Sequence, residues 1–479
     1  SLPQAPCAMQ IKMPDKAVRH CLRQALLVVS AICLAVWLPP ADAKISAAPP
    51  DTVQPPLNRF GTKTAYRNVE RIFPDLPAPS GVAEGCAARQ LIMMLRHGSR
   101  GPSVKQVRRA EVVLHRLASA FRSEPAFAKT ATGWSSPFAL TGGGKSLSNV
   151  GHQEHELLGS RIALRYPNLL ASHESVAVLS SSSDRAFESA KSFLHGAGLT
   201  DADIAVRVAD AHIRFYDDCH KFKATIDDGP DGKREYRKFM AGPELRAAAK
   251  AAQERLGLTD IDLSPADLAM AFSLCGMEMA SNLTVPGDSP WCRLVQDPDA
   301  HEAVEFLLDL KHYWRKSHGY DLSSLIACPL VSDLAANLVR AAQRERAGGA
   351  ASAQAPVANS TVLYFGHAET LFPVMARLGL FKDPHHLTHE SYAAHRQSRQ
   401  FRASRLVPFG ANFALSLLSC QDGGLYVQPA LNESPLFWTL CNHYRCPLDD
   451  VLRMLDSQCP QSFDFEAVCA HKAGARDEL

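Results

Sequence analysis

The apolar run at residues 91–95 leads directly into the polar segment Arg96-His97-Gly98-Ser99-Arg100-Gly101-Pro102. Valine and leucine residues then recur at helical spacing over residues 104–121. A strand, a glycine-containing turn and a helix in this order form the repeating unit of parallel, helix-covered sheets. The order predicts an α/β fold, and it places the polar segment at the carboxyl end of a strand, where sites assemble in such sheets.

Two later segments repeat this pattern. A predicted strand at residues 175–179 precedes the serine run 180–183 and a helix that begins at Asp184. A predicted strand at residues 361–365 precedes Gly366-His367-Ala368-Glu369 and another helix. We therefore expect a mainly parallel sheet with helices on both faces.

Residues 201–346 have mostly helical patterns, at 242–256, 264–282 and 300–316, and predict an inserted helical cap domain over the sheet. The predicted division is a leader at 1–43, the first part of the α/β core at 44–200, the cap insertion at 201–346, a flexible linker at 347–358 and the second part of the core at 359–479. The linker contains only Ala, Gly, Ser, Gln, Pro and Val, a composition typical of flexible connections. Near the end, Asp422-Gly423-Gly424 between two apolar runs predicts a hairpin.

The first 43 residues have the features of a secretory signal. Basic residues at 12–23 precede an apolar stretch at 25–38, and Ala41-Asp42-Ala43 fits an A-x-A cleavage site. Pro39-Pro40 ends the apolar run below the about 18 residues that a membrane anchor needs. We expect a cleaved signal peptide with a non-native leader at its start, and no stable membrane insertion after cleavage.

The last four residues, Arg476-Asp477-Glu478-Leu479, are similar to the Lys-Asp-Glu-Leu retrieval signal. Together with the signal peptide they predict the endoplasmic reticulum lumen and a retrieval receptor as partner, and they leave open whether some molecules are secreted. Asn282-Leu283-Thr284 and Asn359-Ser360-Thr361 are glycosylation acceptors consistent with that route. Asn432-Glu433-Ser434 is a poorer acceptor, because Pro435 follows it.

Three of the 13 cysteines lie in the leader, which leaves ten. An even number in an oxidising lumen predicts a disulfide framework, with a pairing that the sequence does not fix. The pair Cys441 and Cys446 has no second pair at zinc-finger distance, so no metal is expected. The net charge of +2 gives no global field that favours nucleic acid or membrane, so an anionic substrate needs a local cluster of positive residues.

Arg96, His97 and Arg100 are suited to phosphate chemistry. A guanidinium matches the geometry of phosphate oxygens and stays charged at any working pH. The neutral imidazole of His97 is placed to attack phosphorus and to form a phosphohistidine, which splits one difficult hydrolysis into two easier steps. An isolated Arg-His pair is more often a solvated turn, but seven residues in this order between a strand and a helix favour a site.

Arg185 is a candidate third phosphate ligand, because a phosphoryl transition state spreads charge over three equatorial oxygens. A salt bridge near Asp184 is its alternative role. We expect His367 to donate a hydrogen bond to the transferring group as an imidazolium, and Glu369 to protonate the leaving alkoxide and then activate water. The plainer interpretation of Glu369 is a favourable first-turn acid of the next helix.

These segments resemble the histidine acid phosphatases, whose pattern is Arg-His-Gly-x-Arg-x-Pro with a distal histidine. Ala368 and Glu369 follow that histidine where most members have Asp, which is similar to the multiple inositol polyphosphate phosphatase branch. The resemblance extends from about residue 57 to 479, with further matches at 60–66, 158–161, 189–193, 214–217, 289–292 and 408–412.

The resemblance implies that Arg96, His97, Arg100, Arg185 and His367 form the phosphate pocket and that Glu369 is the proton donor. It also implies an α/β domain with a helical cap, no cofactor, and phytate-like inositol polyphosphates as substrates. Gly101 is a departure, since the branch often has a larger aromatic there, and we expect it to widen the mouth of the pocket.

Substrate discrimination needs positive charge beyond this pocket. Lys63, Arg214, Lys221 and Lys223 are candidates for the outer phosphates, with a solvated basic surface as the alternative, favoured for Lys223. A broad-specificity acid phosphatase and a 2,3-bisphosphoglycerate phosphatase would use the same residues. The alternative outside enzymes is a lumenal protein that binds a phosphate ligand without turnover, and the intact set of site residues argues against it.

Overall fold

One mixed β-sheet organises the described chain. The computed structural model describes residues 59–69, 82–118, 129, 131–138, 144–199, 204–258, 261–284, 287–347 and 358–470. Within them, the sheet has eight strands in the order β3-β2-β4-β1-β5-β6-β7, with β8 beside β6. The strands are β1 (Cys86–Arg96), β2 (Val176–Ser180), β3 (Val206–Val208), β4 (Thr361–Gly366), β5 (Asn412–Cys420), β6 (Leu425–Leu431), β7 (Ser434–Pro435) and β8 (Cys446–Pro447).

The two halves of the sheet differ in direction. Strands β3, β2, β4 and β1 are parallel neighbours, whereas β1–β5, β5–β6 and the β6 pairs are antiparallel. The hairpin between β5 and β6 is the predicted one, and the carboxylate of Asp422 accepts a hydrogen bond from the Gly424 amide at 2.8 Å in its turn. The predicted α/β fold is confirmed, with its parallel strands on the side that carries the polar segments.

The longer helices surround this sheet. They are α1 (Val104–Ala118), α2 (Asn149–Arg165), α3 (Asp184–Gly196), α4 (Arg234–Met240), α5 (Pro243–Arg255), α6 (Pro265–Ala280), α7 (Pro298–Lys316), α8 (Cys328–Arg346), α9 (Ala368–Arg377) and α10 (Leu448–Gln458). Short helical turns lie at Gly61–Lys63, Tyr66–Asn68, His173–Ser175, Asp210–Ile213, Phe215–Asp218, His220–Phe222, Lys223–Asp227, Asp231–Lys233, Pro290–Leu294, Asp321–Leu325, His389–Ser391, Tyr392–His395, Ala403–Leu406 and Phe465–Cys469.

Polar residues directly before the helices explain where several of them begin. The Ser148 hydroxyl accepts a hydrogen bond from the amide of Gly151 at the start of α2. Ser264 and Asp297 cap α6 and α7 in the same way, and proline follows each of them at the first helical position. Such caps satisfy amides that have no partner within the helix, and proline there loses no hydrogen bond.

Strand β1 is buried on both faces, which is why its sequence is a continuous apolar run rather than an alternating one. Leu91, Met93 and Leu95 point into one core, beneath α2 and α3. Ile92 and Met94 point into the other core, which extends through the helical region. This alternation fixes the strand in register, so its carboxyl end lies at one place.

Two parts of the predicted cap range, β3 and α8, are in direct contact with the sheet. Val206–Val208 forms the edge strand β3, paired with β2. Helix α8 lies against β4, where the Asn337 amide donates a hydrogen bond to the Tyr364 hydroxyl at 3.2 Å. The sequence missed β3 because three residues are too few to show an alternating pattern. The cap boundaries at 201 and 346 stay a prediction.

The ten cysteines outside the leader form five disulfides: Cys86–Cys420, Cys219–Cys469, Cys275–Cys292, Cys328–Cys459 and Cys441–Cys446. The predicted framework is thus confirmed and its pairing is assigned. No helix among the described residues is long and apolar enough to cross a membrane. The predicted leader, most of the linker and the retrieval tail lie outside the described residues.

Candidate active site

Three parallel strands end side by side and bring the polar segments together. Arg96, the last residue of β1, is paired with Gly366 at the end of β4, and Ser180 at the end of β2 is paired with Phe365. The ladder continues one residue further, where the His97 amide donates a hydrogen bond to the Gly366 carbonyl at 3.1 Å. His97 and His367 therefore leave the sheet as neighbours, with ring centroids 5.6 Å apart.

Helix α2 supports the turn after His97 by close backbone contact. A Cβ added at Gly98 would lie 2.4 Å from the Gly151 carbonyl oxygen, and one added at Gly151 would lie 2.2 Å from the Ser99 carbonyl oxygen. Only glycine allows the two segments to approach this closely. The Gly98 amide donates to the Ser189 hydroxyl at 3.1 Å, which ties the turn to α3 as well.

Two side chains of α2, the half-buried Glu154 and the buried His155, hold the same turn. The Glu154 carboxylate accepts hydrogen bonds from the amide and the hydroxyl of Ser99, at 2.7 and 2.9 Å. It also accepts one from the Tyr66 amide at 3.2 Å. The His155 ring donates from Nε2 to the Arg96 carbonyl at 3.0 Å. Glu154 and His155 are absent from the described lining of the cavity, so they act by fixing the backbone beside His97.

A cavity of about 630 Å³ opens at the strand ends. Eight of the ten residues that the sequence singled out as catalytic or substrate-binding line it: Lys63, Arg96, His97, Arg100, Arg185, Arg214, His367 and Glu369. Lys145 and three cations of α7 complete a set of nine cationic side chains, against the three carboxylates of Asp217, Asp227 and Glu369. This excess of positive charge in a concave site is suited to a ligand with several anionic groups.

The ring of His97 is neutral and oriented. Its Nδ1 lies 2.9 Å from the Gly98 carbonyl oxygen, which only accepts, so Nδ1 carries the proton. The other nitrogen, Nε2, then holds a free lone pair. Burial, followed by the charges of Arg96 and Arg185, holds the pKa of His97 well below its usual value of 6.5. The ring is thus available as a nucleophile at acidic pH.

The arginines around His97 are held by backbone carbonyls. Arg96 donates from one terminal nitrogen to the carbonyls of Thr62 and Val407, at 2.6 and 3.0 Å, and Arg100 donates to the Gly101 carbonyl at 2.6 Å. Among the described residues, the buried Nε of Arg96, Arg100 and Arg185 has no hydrogen-bond partner. Burial, with mutual repulsion, lowers the pKa of Arg96 to about 9 and that of Arg100 to about 10. A phosphate dianion would satisfy both the orphaned donors and the unbalanced charge.

His367 differs from the prediction in its charge. The Arg185 guanidinium donates to its Nδ1 at 3.3 Å, so the proton lies on Nε2, which donates to the Ser181 hydroxyl at 2.9 Å. Burial and then Arg185 lower the pKa of His367 to about 3, and the ring is neutral rather than an imidazolium. The sequence showed a histidine at a strand end, but it did not show the arginine beside it.

Glu369 also differs from the prediction, because it is an ion-paired carboxylate. Its Oε1 contacts the Lys316 ammonium of α7, and the side chain is 37% exposed, open to the cavity. Burial raises the pKa of Glu369, but Lys316 outweighs that effect and holds the pKa well below the usual 4.5. A carboxylate in this state accepts a proton, and it donates one only after it has left the lysine.

The four candidates for outer phosphates divide into two pairs. Lys63 and Arg214 line the cavity, whereas Lys221 and Lys223 are absent from its described lining. Lys223 forms an ion pair with Asp217 at 3.0 Å, in agreement with the expectation that it belongs to a solvated surface. Arg214 shares the same carboxylate at 2.7 Å, so part of its charge is already balanced.

The cavity is also lined by five residues that the sequence did not indicate. They are Lys145 and four residues of α7: Lys311, His312, Arg315 and Lys316. We call these four residues the α7 wall. Three basic residues within six positions near the end of a helix are also typical of a solvated face with favourable dipole contacts. Nothing in the sequence indicates that this face of α7 lines a cavity.

Gly101 does not widen the pocket. A Cβ added there would lie 3.0 Å from the Phe138 ring, so this aromatic fills the space beside the glycine. The side chains of Asn282 and Asn359 are exposed, as glycosylation requires. The Asn432 amide is instead occupied, since it donates to the Arg405 carbonyl and accepts from the Asn412 amide.

Comparison with known families identifies the chain's similarity. The family model for the histidine phosphatase superfamily (branch 2) matches residues 88–432. This range contains β2, β4 and all of β1 except its first two residues, and it includes every described residue of the cavity lining except Thr62 and Lys63.

Two curated proteins are similar to most of the chain. Multiple inositol polyphosphate phosphatase 1 of Gallus gallus is 33% identical over 86% of this chain and 92% of its own. The Homo sapiens protein of the same name is 30% identical over 94% of this chain and 98% of its own. Among solved structures, the phytase from D. castellii superposes with a TM-score of 0.66 and 16% identity, covering 86% of this chain and 87% of that one. At that identity the superposition supports the fold alone.

Proposed function

Because the chain belongs to the histidine phosphatase superfamily (branch 2), we propose that it is a phosphomonoesterase that hydrolyses inositol polyphosphates such as phytate. The observation that carries this proposal is a neutral His97 with a free Nε2 inside a cavity lined by nine cationic side chains. The names of the chicken and human relatives supply the class of substrate.

In the first step, Nε2 of His97 attacks phosphorus while Arg96, Arg100 and Arg185 bind the non-bridging oxygens. The N–P bond forms as the bond between phosphorus and the inositol oxygen breaks. Protonated Glu369 gives its proton to the leaving oxygen and becomes a carboxylate. The product is an inositol with one phosphate fewer and a phosphohistidine on the protein.

In the second step, water attacks the phosphohistidine. The Glu369 carboxylate takes a proton from this water as the new P–O bond forms and the N–P bond breaks. Inorganic phosphate leaves, and His97 returns to its neutral form with Nδ1 still bonded to the Gly98 carbonyl. The neutral ring of His367 donates its Nε2 proton to the Ser181 hydroxyl and accepts from Arg185 at Nδ1, so it orients Arg185 and adds no positive charge of its own.

The cations beyond His97 favour a substrate with several phosphates. A single phosphate is fully bound by Arg96, Arg100 and Arg185, whereas Lys63, Lys145 and Lys311 also line the cavity and have no acidic partner among the described residues. 2,3-Bisphosphoglycerate is the second candidate substrate, because the same arginines fit its phosphates. A broad-specificity acid phosphatase would leave these outer lysines without a role.

The five disulfides are typical of a secreted or lumenal protein. The more specific proposal, the endoplasmic reticulum lumen with a retrieval receptor as partner, depends on the leader and on Arg476–Leu479 in the sequence. Exposed Asn282 and Asn359 support glycosylation on that route. We also propose that residues 201–346 act as a cap, since α7 within this range supplies one wall of the cavity.

The test is a product profile from the purified protein. Phytate, 2,3-bisphosphoglycerate and p-nitrophenyl phosphate are supplied at equal concentration, and phosphate release and the remaining inositol phosphates are measured. We expect phytate to have the highest kcat/KM, because it contacts the outer cations. A higher kcat/KM for p-nitrophenyl phosphate would indicate a general acid phosphatase, and no release from any of the three would contradict the enzymatic assignment.

A further inference from the structure

The contact between Lys316 and Glu369 presents a mechanistic problem that the proposed steps do not solve. The proton donor of the first step is, in this structure, an ion-paired carboxylate without a proton to give. An ammonium in direct contact stabilises the ionised form, so Glu369 takes up a proton only when Lys316 moves away. Something in the catalytic cycle has to separate the two side chains.

The α7 wall provides the cause of that separation. Lys311, Arg315 and Lys316 of α7 line the same cavity as Arg96, Arg100 and Arg185, which come from the strand ends. Lys311 has no ion pair among the described residues, and the buried Nδ1 of His312 and Nε of Arg315 have no hydrogen-bond partner there. Unsatisfied donors and an unpaired ammonium beside each other favour binding of an anion.

We propose that the α7 wall is a second anion subsite, which takes a phosphate of the substrate other than the one being hydrolysed, and that this phosphate draws Lys316 away from Glu369. Glu369 is thereby released to act as the proton donor. The proposal rests on the hydrolysis of inositol polyphosphates proposed above. Lys316 is in this account a positioning residue, which acts on the reaction through Glu369.

The charges around Glu369 give the sign of the effect. Cations on several elements act on it electrostatically: Lys63, Arg96, Arg100, Lys145, Arg185, Lys311 and Lys316, with His312, His367 and Tyr216 as uncharged titratable neighbours. The carboxylates of Asp217 and Asp227 line the same cavity and act in the opposite direction to these cations. Bound phosphates neutralise these cations and add negative charge, and both changes raise the pKa of Glu369. Burial of the carboxyl acts in the same direction. The proton donor is therefore formed when a substrate fills both walls.

A substrate with one phosphate leaves the ion pair in place. It binds Arg96, Arg100 and Arg185 but has no second anion for Lys316, so Glu369 stays ionised to lower pH. Selectivity for several phosphates then arises in kcat as well as in KM, which is a property that a simple binding contact does not give.

The experiment compares the pH dependence of kcat for three substrates. Phytate fills both walls, glycerol 2-phosphate fills one and needs a proton on its leaving oxygen, and p-nitrophenyl phosphate leaves without protonation. For the wild-type protein we expect the basic limb for phytate to lie about one pH unit or more above that for glycerol 2-phosphate. Coinciding basic limbs would overturn the proposal without any variant.

The variant that sharpens the test is Lys316→Met. Without the ammonium, the basic limb for glycerol 2-phosphate should rise by about one to three pH units toward that for phytate. Lys316→Arg, which keeps the charge, should restore the separation of the two limbs. Lys250→Met, which removes a 78% exposed lysine of α5, is the matched control and should change neither limb.

Circular dichroism and thermal melting of each variant separate a folding defect from the proposed effect, because the position of a pH limb does not depend on the fraction of the protein that is folded. Unshifted limbs with a raised KM for phytate would mean that Lys316 only contacts substrate, which contradicts the proposal. Failure of the proposed function is distinguishable, because the wild-type protein would then release phosphate from glycerol 2-phosphate and none from phytate.

Discussion

The two walls of the cavity differ in what balances their positive charges. Arg96, Arg100 and Arg185 lie at the strand ends with backbone carbonyls and a neutral histidine as partners, and none of them has a carboxylate partner among the described residues. On the α7 wall, Arg315 contacts Asp227 and Lys316 contacts Glu369. We call Arg96, Arg100 and Arg185 the strand-end wall, and these three arginines have no anion beside them in the described part of the chain. The α7 wall already has two carboxylates as partners, Asp227 and Glu369, and the phosphates of a bound substrate take their place.

Because of this difference, the strand-end wall carries out the reaction and the α7 wall determines which substrates are preferred. Repulsion among buried guanidiniums is relieved most when a phosphate arrives, so the strand-end wall favours any phosphate monoester. Ion pairs on the α7 wall have to be broken, so that wall rewards only a ligand that carries further anions. One cavity thus combines a reaction that is common to all phosphate monoesters with selectivity for substrates that carry several phosphate groups.

The largest expected effect is the loss of the nucleophile at the strand ends. His97→Ala removes the only atom proposed to bond to phosphorus, and phosphate release should fall by a factor on the order of 10⁶ for every substrate. The measurement is phosphate release, with circular dichroism as the control for folding. Unchanged turnover would remove His97 from the mechanism.

A smaller loss is expected from a single arginine of the same wall. Arg100→Ala should lower kcat/KM by about 10²–10³, since one preorganised donor to the transferring group is lost. The loss should be similar for phytate and for p-nitrophenyl phosphate, because both place a phosphate there. A fall in kcat/KM for phytate alone would show that Arg100 determines substrate preference and does not bind the phosphate that is hydrolysed.

The α7 wall should respond in the opposite way. Lys311→Met removes one charged contact to an outer phosphate, and kcat/KM for phytate should fall about tenfold. Turnover of p-nitrophenyl phosphate should stay within about twofold of the wild-type value. If kcat/KM falls by the same factor for both substrates, the two walls do not have separate roles.

The smallest effect concerns the acidic limb of the pH profile. Because the pKa of His97 is lowered, the ring stays neutral as the pH falls through 6.5, and activity is lost only well below that value. Arg185→Gln removes one of the charges that lower this pKa, so the acidic limb of kcat/KM should move up by about one pH unit. A wild-type acidic limb near 6.5 would contradict the assigned environment of His97.

The strand-end residues could be predicted from the sequence because they are contiguous. Seven residues after an apolar strand fixed the place of Arg96, His97 and Arg100, and two similar strand ends added Arg185 and His367. Strand register then brings these segments together without further information, since parallel strands end at one edge.

The α7 wall and the protonation states could not be predicted. Lys311 and Lys316 are ordinary helix residues until the helix is seen to face the cavity. The charge states of His367 and Glu369 in the folded chain have the same origin. Each depends on a cation from a distant segment, Arg185 or Lys316, that only the folded chain brings into contact.

The most direct test of the account is to trap the covalent intermediate. The protein is mixed with phytate, quenched within milliseconds under alkaline conditions that preserve phosphohistidine, digested and analysed by mass spectrometry. We expect one acid-labile phosphate on His97, absent from His97→Ala. Phosphate on any other residue, or turnover without a phosphorylated protein, would contradict the claim that the strand-end wall presents this ring to phosphorus.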